Sequence, residues 1–211
     1  GCAVGPKDVR DTVSDALGAA ARVSSFLGKG YVVTAPEKPF VIEELCDGCG
    51  VCVEVCPSAA ITVDGGKAEV NPFACTECGV CIPSCPKDAI DYRNNTREQI
   101  LAFLSGLAFD KKPEEILVVA FVDKTIAYTG ADFLGLDRVN YPFEIRIVGV
   151  PSTAMLSKKH IMYAFAVSAD GVIVLEGKKE VGEHYTRKLM DEIADALDEI
   201  GVESMRLWFS V

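Results

Sequence analysis

Apolar positions recur along this chain at three periods, and each period predicts a different kind of element. From Val9 to Leu27 an alanine-rich run places Val13, Leu17, Ala20 and Ala21 at helical spacing. Pro6 suits the first turn of that helix, and Gly28 to Gly30 stop it. Pro36 and Pro39 lie within four positions of each other, so the stretch from Thr34 to Pro39 reads as a linker. Short β-branched runs follow. Val41-Ile42 predicts a strand, Ile61-Thr62-Val63 and Lys67 to Val70 around Gly65-Gly66 predict a hairpin, and Ile90-Asp91-Tyr92 closes a second, similar run.

Beyond Thr96 the pattern alternates. Arg97 to Phe109 reads as a helix with Ile100, Leu101, Phe103, Leu104 and Leu107 on its apolar side, and Pro113 interrupts it. Ile116 to Phe121 is a continuous apolar run of the kind expected for a strand covered on both faces. Helices near Ala131 to Leu136, Lys158 to Val167 and Tyr185 to Ile200 then alternate with strands at Ile145 to Val150, Gly171 to Leu175 and Met205 to Val211. Strand–helix repetition at this spacing predicts an α/β domain with a small parallel sheet flanked by helices. Three regions result: a helical segment over 1–35, a cysteine-rich α+β domain over 36–95, and the α/β domain over 96–211.

Composition narrows the function classes. The 211 residues are 49% hydrophobic and 25% charged, and no apolar run is long enough to span a bilayer. The formal charge of −10, from 31 acidic and 21 basic residues with no basic cluster, repels a phosphate backbone and argues against nucleic acid as a partner. The chain opens on Gly1 without methionine or a signal-like segment, the expectation for a processed product or a piece of something longer. A Gly-rich turn feeding a helix, as around Gly5-Pro6, is a natural seat for phosphate, though a packing helix is the simpler reading.

The chemistry is carried by cysteine. Cys46, Cys49, Cys52 and Cys56-Pro57 form C-x-x-C-x-x-C-x-x-x-C-P, and Cys75, Cys78, Cys81 and Cys85-Pro86 repeat it 29 positions later. Val41 recurs as Val70 and Ile61 as Ile90 at the same offset, so the unit is duplicated. Two-residue gaps wrap three thiolates around one face of a cubane, and Gly48 and Gly50 allow a tight turn that aims N–H groups at sulfur. Paired C-x-x-C motifs also occur in zinc sites; the third cysteine at the same gap and the Cys-Pro ending favour iron. An odd total of nine cysteines suits metal binding in a reducing cytoplasm better than a disulfide framework. Cys2 lies outside both copies and reads either as a free buried thiol or as a ligand whose partners lie elsewhere.

This stretch resembles bacterial-type two-cluster ferredoxins. The resemblance implies two [4Fe–4S] clusters and, as in that motif class, a crossed fourth ligand. Cys46, Cys49, Cys52 and Cys85 are expected to hold one cluster, and Cys75, Cys78, Cys81 and Cys56 the other. Clusters sharing ligand loops are close neighbours, which makes a wire.

The α/β domain lacks comparable chemistry. At the strand ends, Asp123-Lys124-Thr125, Pro151-Ser152-Thr153 and Glu176-Gly177-Lys178-Lys179 make no phosphate loop, nucleophile elbow or metal cluster. His160 and His184 read as surface or capping residues, and Trp208 as core or interface. From Val118-Val119-Ala120-Phe121 through Tyr128-Thr129-Gly130-Ala131-Asp132, Tyr141-Pro142, Ile145-Arg146-Ile147-Val148 and Ala169 to Val174, this domain is similar to the delta subunit of methyl-viologen-reducing hydrogenase. That family carries a [2Fe–2S] cluster on strand-end cysteines and docks onto the A subunit of heterodisulfide reductase. Here Asp123, Ile126, Ser152 and the stretch Gly177 to Glu183 stand where cysteines would fall, so no cluster is expected in this domain.

Gly1 to Tyr92 resembles the C-terminal portion of the heterodisulfide reductase A subunit, where a Gly-Cys-x-x-Gly-Pro-Lys-Asp helix ends a flavin domain and leads into a two-cluster ferredoxin. The helix also resembles the closing segment of thioredoxin-reductase-like flavin domains, with Cys2 in place of their Asp. Together these resemblances imply an electron-transfer module, not catalytic on its own, that relays electrons to or from the flavin of an electron-bifurcating complex. FAD is expected only in a longer parent. The alternative they imply is an adaptor holding a hydrogenase, formate dehydrogenase or F420-oxidising partner beside the ferredoxin.

Overall fold

The computed structural model describes residues 8–31, 38–177 and 183–211. Cys2, Pro6 and the turn before the first helix lie outside the described residues, as do most of the expected linker and part of the stretch from Gly177 to Glu183. The chain divides into two compact units, Gly1–Ala35 and Pro36–Val211.

In the first unit, helix α1 spans Val9–Leu27, as its periodicity predicts. The Asp8 carboxylate caps its start by accepting from the Asp11 N–H at 2.7 Å, and Gly28 closes its end. The helix buries none of its residues: Val9, Val13 and Leu17 are all exposed.

The second unit begins with the duplicated region, and the duplication extends into hydrogen bonding. Strands β1 (Pro39–Val41) and β4 (Ile90–Tyr92) pair antiparallel, with Val41 opposite Ile90 and Pro39 opposite Tyr92. Strands β2 (Ile61–Asp64) and β3 (Lys67–Val70) pair antiparallel with Ile61 opposite Val70 and Val63 opposite Ala68. Adding 29 to the first member of the pairs Ile61–Val70, Thr62–Glu69 and Val63–Ala68 and subtracting it from the second yields the β1–β4 register. Only the β2–β3 pairing, which joins the two copies, closes as a local hairpin, through Gly65 and Gly66 at φ 54 and 79, where a side chain would be strained. The expected strand at Val41-Ile42 starts earlier, at Pro39, because the first strand position tolerates a missing N–H. Two single-turn helices, α2 (Val51–Glu54) and α3 (Cys81–Ser84), occupy equivalent places in the copies and pack on each other.

Helix α4 (Arg97–Ala108) opens on a capping box between Thr96 and Gln99. It leads into four parallel strands, β5 (Val118–Asp123), β6 (Ile145–Val150), β7 (Gly171–Leu175) and β8 (Leu207–Ser210), in the order β6-β5-β7-β8. The cysteine-rich α+β domain is thus followed by an α/β region with a four-strand parallel sheet. β5 sits two residues later than its apolar run suggests. Ile116 is exposed, the Leu117 N–H is held by the Asp170 carboxylate at 2.8 Å, and the strand continues to Asp123, whose Oδ1 accepts from the Thr125 N–H.

Helices α5 (Ala127–Leu136), α6 (Lys158–Ala166) and α7 (Glu183–Glu199) connect the strands. α7 buries Thr186, Met190, Ile193 and Leu197 as a stripe, each apolar member contributing roughly 1.5–3 kcal/mol. By contrast α5 buries none of its residues. β8 begins only at Leu207 because Ser204–Arg206 form a 3₁₀ turn with Met205 exposed, and Trp208 is 64% exposed, outside the core. A single apolar core runs from Cys52, Ile61 and Ile82 through Tyr92 and Leu104 to Val119, Met155 and Ile193.

Candidate metal centres

Each cysteine loop is held by a lysine from the other copy. Lys67 donates to the carbonyls of Glu43 (2.7 Å) and Cys46 (2.5 Å), and Lys38, 29 residues earlier, donates to those of Pro72 and Cys75 (3.1 Å). Glu43 and Pro72, and Cys46 and Cys75, are themselves equivalent pairs. The strands therefore position the loops reciprocally, by charged bridges that the cysteine motifs do not reveal, although the offset of 29 is visible at both lysines.

The structure brings Cys46, Cys49, Cys52 and Cys85 together around one small cavity, whose wall also includes Gly48, Gly50, Ala68 and Ile90. Cys49 is exposed and Cys52 buried. Burial pushes the Cys52 thiol up, and Cys85, Cys46 and Cys49 beside it push the same way. Around Cys81 the neighbours are Cys78, Cys75, Cys56 and then Cys52, and burial with these thiols drives its value strongly upward. Cys75 is likewise raised by burial, with Lys38 pulling the other way. Burial also acts on Cys56, but the Ser58 hydroxyl and the N–H groups of Ala60, Ser58 and Ile61 outweigh it and leave this thiol below its ordinary value. Raised thiols hold their protons until a metal displaces them.

The sulfur acceptors are already oriented. The Ala60 N–H points to Cys56 Sγ at 3.3 Å, and the equivalent Ala89 N–H to Cys85 Sγ at 3.3 Å. The Ala68 N–H reaches Cys46 Sγ at 3.4 Å. These alanines supply backbone hydrogen bonds to sulfur, joined by the Ser58 and Ile61 N–H groups at Cys56 and the Glu77 N–H at Cys75. Ala59 and Asp88 take the positive φ values of 48 and 52 that turn the chain back over the fourth cysteine of each copy. Gly48 is needed for space as well as φ, since a Cβ there would lie 2.4 Å from the Gly66 carbonyl oxygen. Among the described residues no three His, Cys, Asp or Glu side chains converge on a single ion. Four thiols lining a cavity with sulfur-directed N–H groups fit a larger iron–sulfur group.

The described strand ends gather buried polar groups, which in the sequence stand out only as positions without a recognisable motif. Asp123, Ser152, Thr153, Glu176 and Thr186 are all buried. Burial pushes the Glu176 carboxyl up and nearby Asp123 adds to this, against the softening of the Thr186 and Thr153 hydroxyls. His160 is fully buried and caps α6, its Nδ1 accepting from the Ser157 N–H at 3.1 Å, whereas His184 is exposed at the start of α7.

Residues 45–98 match the 4Fe-4S dicluster domain, and residues 118–211 match the family of the methyl-viologen-reducing hydrogenase delta subunit. The whole chain is 36% identical over 218 residues to the A subunit of ferredoxin:CoB-CoM heterodisulfide reductase from Methanosarcina mazei, covering 100% of this chain and 27% of that protein. This chain is a relative of the C-terminal region of heterodisulfide reductase A subunits. The A subunit of the ferredoxin/F(420)H(2)-dependent CoB-CoM heterodisulfide reductase of Methanosarcina acetivorans is 35% identical over the same span. The A subunit of the H(2):CoB-CoM heterodisulfide,ferredoxin reductase of Methanothermobacter marburgensis is 51% identical over 102 residues, 48% of this chain and 16% of that protein. The chain thus spans about a quarter of the length of its full-span relatives. The chain joins a dicluster-type segment, whose iron–sulfur chemistry supports an electron-transfer role, to a delta-type segment with no cysteine after Cys85.

Proposed function

We propose that this region relays electrons through two [4Fe–4S] clusters, one held by Cys46, Cys49, Cys52 and Cys85 and the other by Cys75, Cys78, Cys81 and Cys56, to or from the flavin of a bifurcating heterodisulfide reductase-type complex. The observation that carries this reading is the cavity lined by three cysteines of one copy and the fourth of the other. A cluster bound there supplies one-electron exchange; the chain supplies thiolates, oriented N–H groups and an apolar surround that excludes water. The flavin belongs to the longer protein, as does reaction on the heterodisulfide that the relatives are named for. The thiolate chemistry suits a reducing cytoplasm, and no described helix is long and apolar enough to cross a membrane. Anaerobic reconstitution is expected to yield about eight iron and eight sulfide per chain, from the cubane count of the motif. Four of each, or zinc in their place, overturns the two-cluster reading.

A second reading, a docking module for a hydrogenase, formate dehydrogenase or F420-oxidising partner, is favoured by the apolar surface around α5. Ile126, Phe133, Leu136 and Phe143 are exposed by 49 to 77%. Relay and docking are compatible roles of the two halves of the Pro36–Val211 unit.

A further inference from the structure

Gly50 and Gly79 are equivalent positions in the two copies, with φ of 80 and 77, yet their surroundings differ. A Cβ on Gly50 would meet no described atom within 4 Å. On Gly79 it would lie 2.9 Å from Met155 Cβ and 3.2 Å from Tyr92 Cε2. Met155 ends the 3₁₀ turn Thr153–Met155 that follows β6, so the α/β half of the unit seats one of its turns directly on the second cysteine loop. Tyr92 closes the same loop from the other side by donating its hydroxyl to the Glu77 carbonyl. Met155, Tyr92 and Ile82 are 0% exposed and Val80 1%. Among the described residues the first loop has no such cover, and Cys49 stays exposed.

A second asymmetry points the same way. Cys46 Sγ receives the Ala68 N–H, but the position equivalent to Ala68 is Pro39, which has no N–H to offer Cys75. Opposing this at the second set are the Glu77 N–H, which serves Cys75, and at Cys56 the Ser58 hydroxyl, 3.6 Å from its Sγ, with the Ser58 and Ile61 N–H groups, so the enclosure by Met155 and Tyr92 is the larger difference between the two sites. Reduction adds one negative charge, which water and sulfur-directed donors stabilise and an apolar enclosure does not.

We infer that Met155 and Tyr92 form an insulating cap that, with Pro39, makes the cluster at Cys75, Cys78, Cys81 and Cys56 the lower-potential member of the pair. The α/β half then sets the order of potentials along the wire as well as offering a surface. This rests on the two-cluster reading, which metal analysis tests separately.

Redox titration of the reconstituted chain, followed by electron paramagnetic resonance, is expected to resolve two one-electron steps. Met155→Ala admits water and Pro39→Ala restores the missing N–H; each raises the lower step and leaves the upper one in place, while the volume-conserving Met155→Leu leaves both unchanged. Pro39→Ala keeps the test open should Met155→Ala fold poorly. If both alanine variants hold eight irons and the lower step stays put, or if the upper step is the one that moves, the inference is wrong. Fewer than eight irons in the unaltered chain strikes the two-cluster reading instead.

Discussion

Lys38 and Lys67 stand 29 residues apart and exchange places: each reaches across to the carbonyl of the first cysteine in the copy it does not belong to. The pair ties the two loops into one body. Lys38 is the more enclosed, its side chain 16% exposed and also 3.4 Å from Glu77, whereas Lys67 is exposed. Lys38→Met should therefore cost on the order of 1–3 kcal/mol by leaving carbonyls unpaired, and Lys67→Met less, since water replaces its bonds. Urea-induced loss of the iron–sulfur absorbance measures both. Equal midpoints for the two variants would show that burial does not set the difference.

Crossed ligation makes a prediction that no uncrossed arrangement shares. Cys49→Ser and Cys85→Ser lie in different copies but line the same cavity. Both are expected to lower iron from about eight toward four per chain and to leave the same residual spectrum. Cys78→Ser and Cys56→Ser should leave the other spectrum. Matching of Cys85→Ser with Cys78→Ser instead would mean that each copy binds its own cluster.

The repeat was legible because iron demands thiolates at short, fixed spacing, and local spacing survives in sequence. Strands Ile145–Val150 and Gly171–Leu175 and helix α1 were legible for a similar reason, since their apolar patterns are local. The start of β5 was not, because the anchor that holds Leu117 is Asp170, 53 residues away. Nor was the cap on Gly79. Nothing near Gly79 announces Met155, and the two copies look alike until the α/β half is folded against one of them. The single core also means that removing residues 97–211 would expose Ile82 and Tyr92, so point substitutions are the sounder probes of the α/β half.

The exposed face of α5 is suited to such a probe. Phe133→Glu and Leu136→Glu place charge on side chains that the fold leaves exposed. If this face docks a redox partner, both variants should keep full iron content and unchanged potentials while losing co-purification with that partner, by at least tenfold in affinity for a central apolar anchor. Retained binding in both variants would remove α5 from the interface and leave the docking reading without its supporting surface.

His160 gives the α/β half a pH dependence of its own. Burial lowers its pKa to about 4, Arg97 and Lys159 push in the same direction and Asp88 opposes them. Its neutral ring accepts from Ser157, so the folded chain refuses a proton that the unfolded chain takes up near 6.5. This contribution is fully present above pH 6.5 and is lost as pH falls toward 4, at up to about 1.4 kcal/mol per pH unit. Glu176 works the other way: its raised carboxyl favours the folded state at low pH and loses that contribution as pH rises. The test is a difference. His160→Gln keeps an acceptor for the Ser157 cap but cannot titrate, so between about pH 7 and about pH 5 its anaerobic melting temperature should fall less than that of the unaltered chain. Parallel curves would show that His160 is protonated in the folded state after all, and that its burial is no barrier to charge.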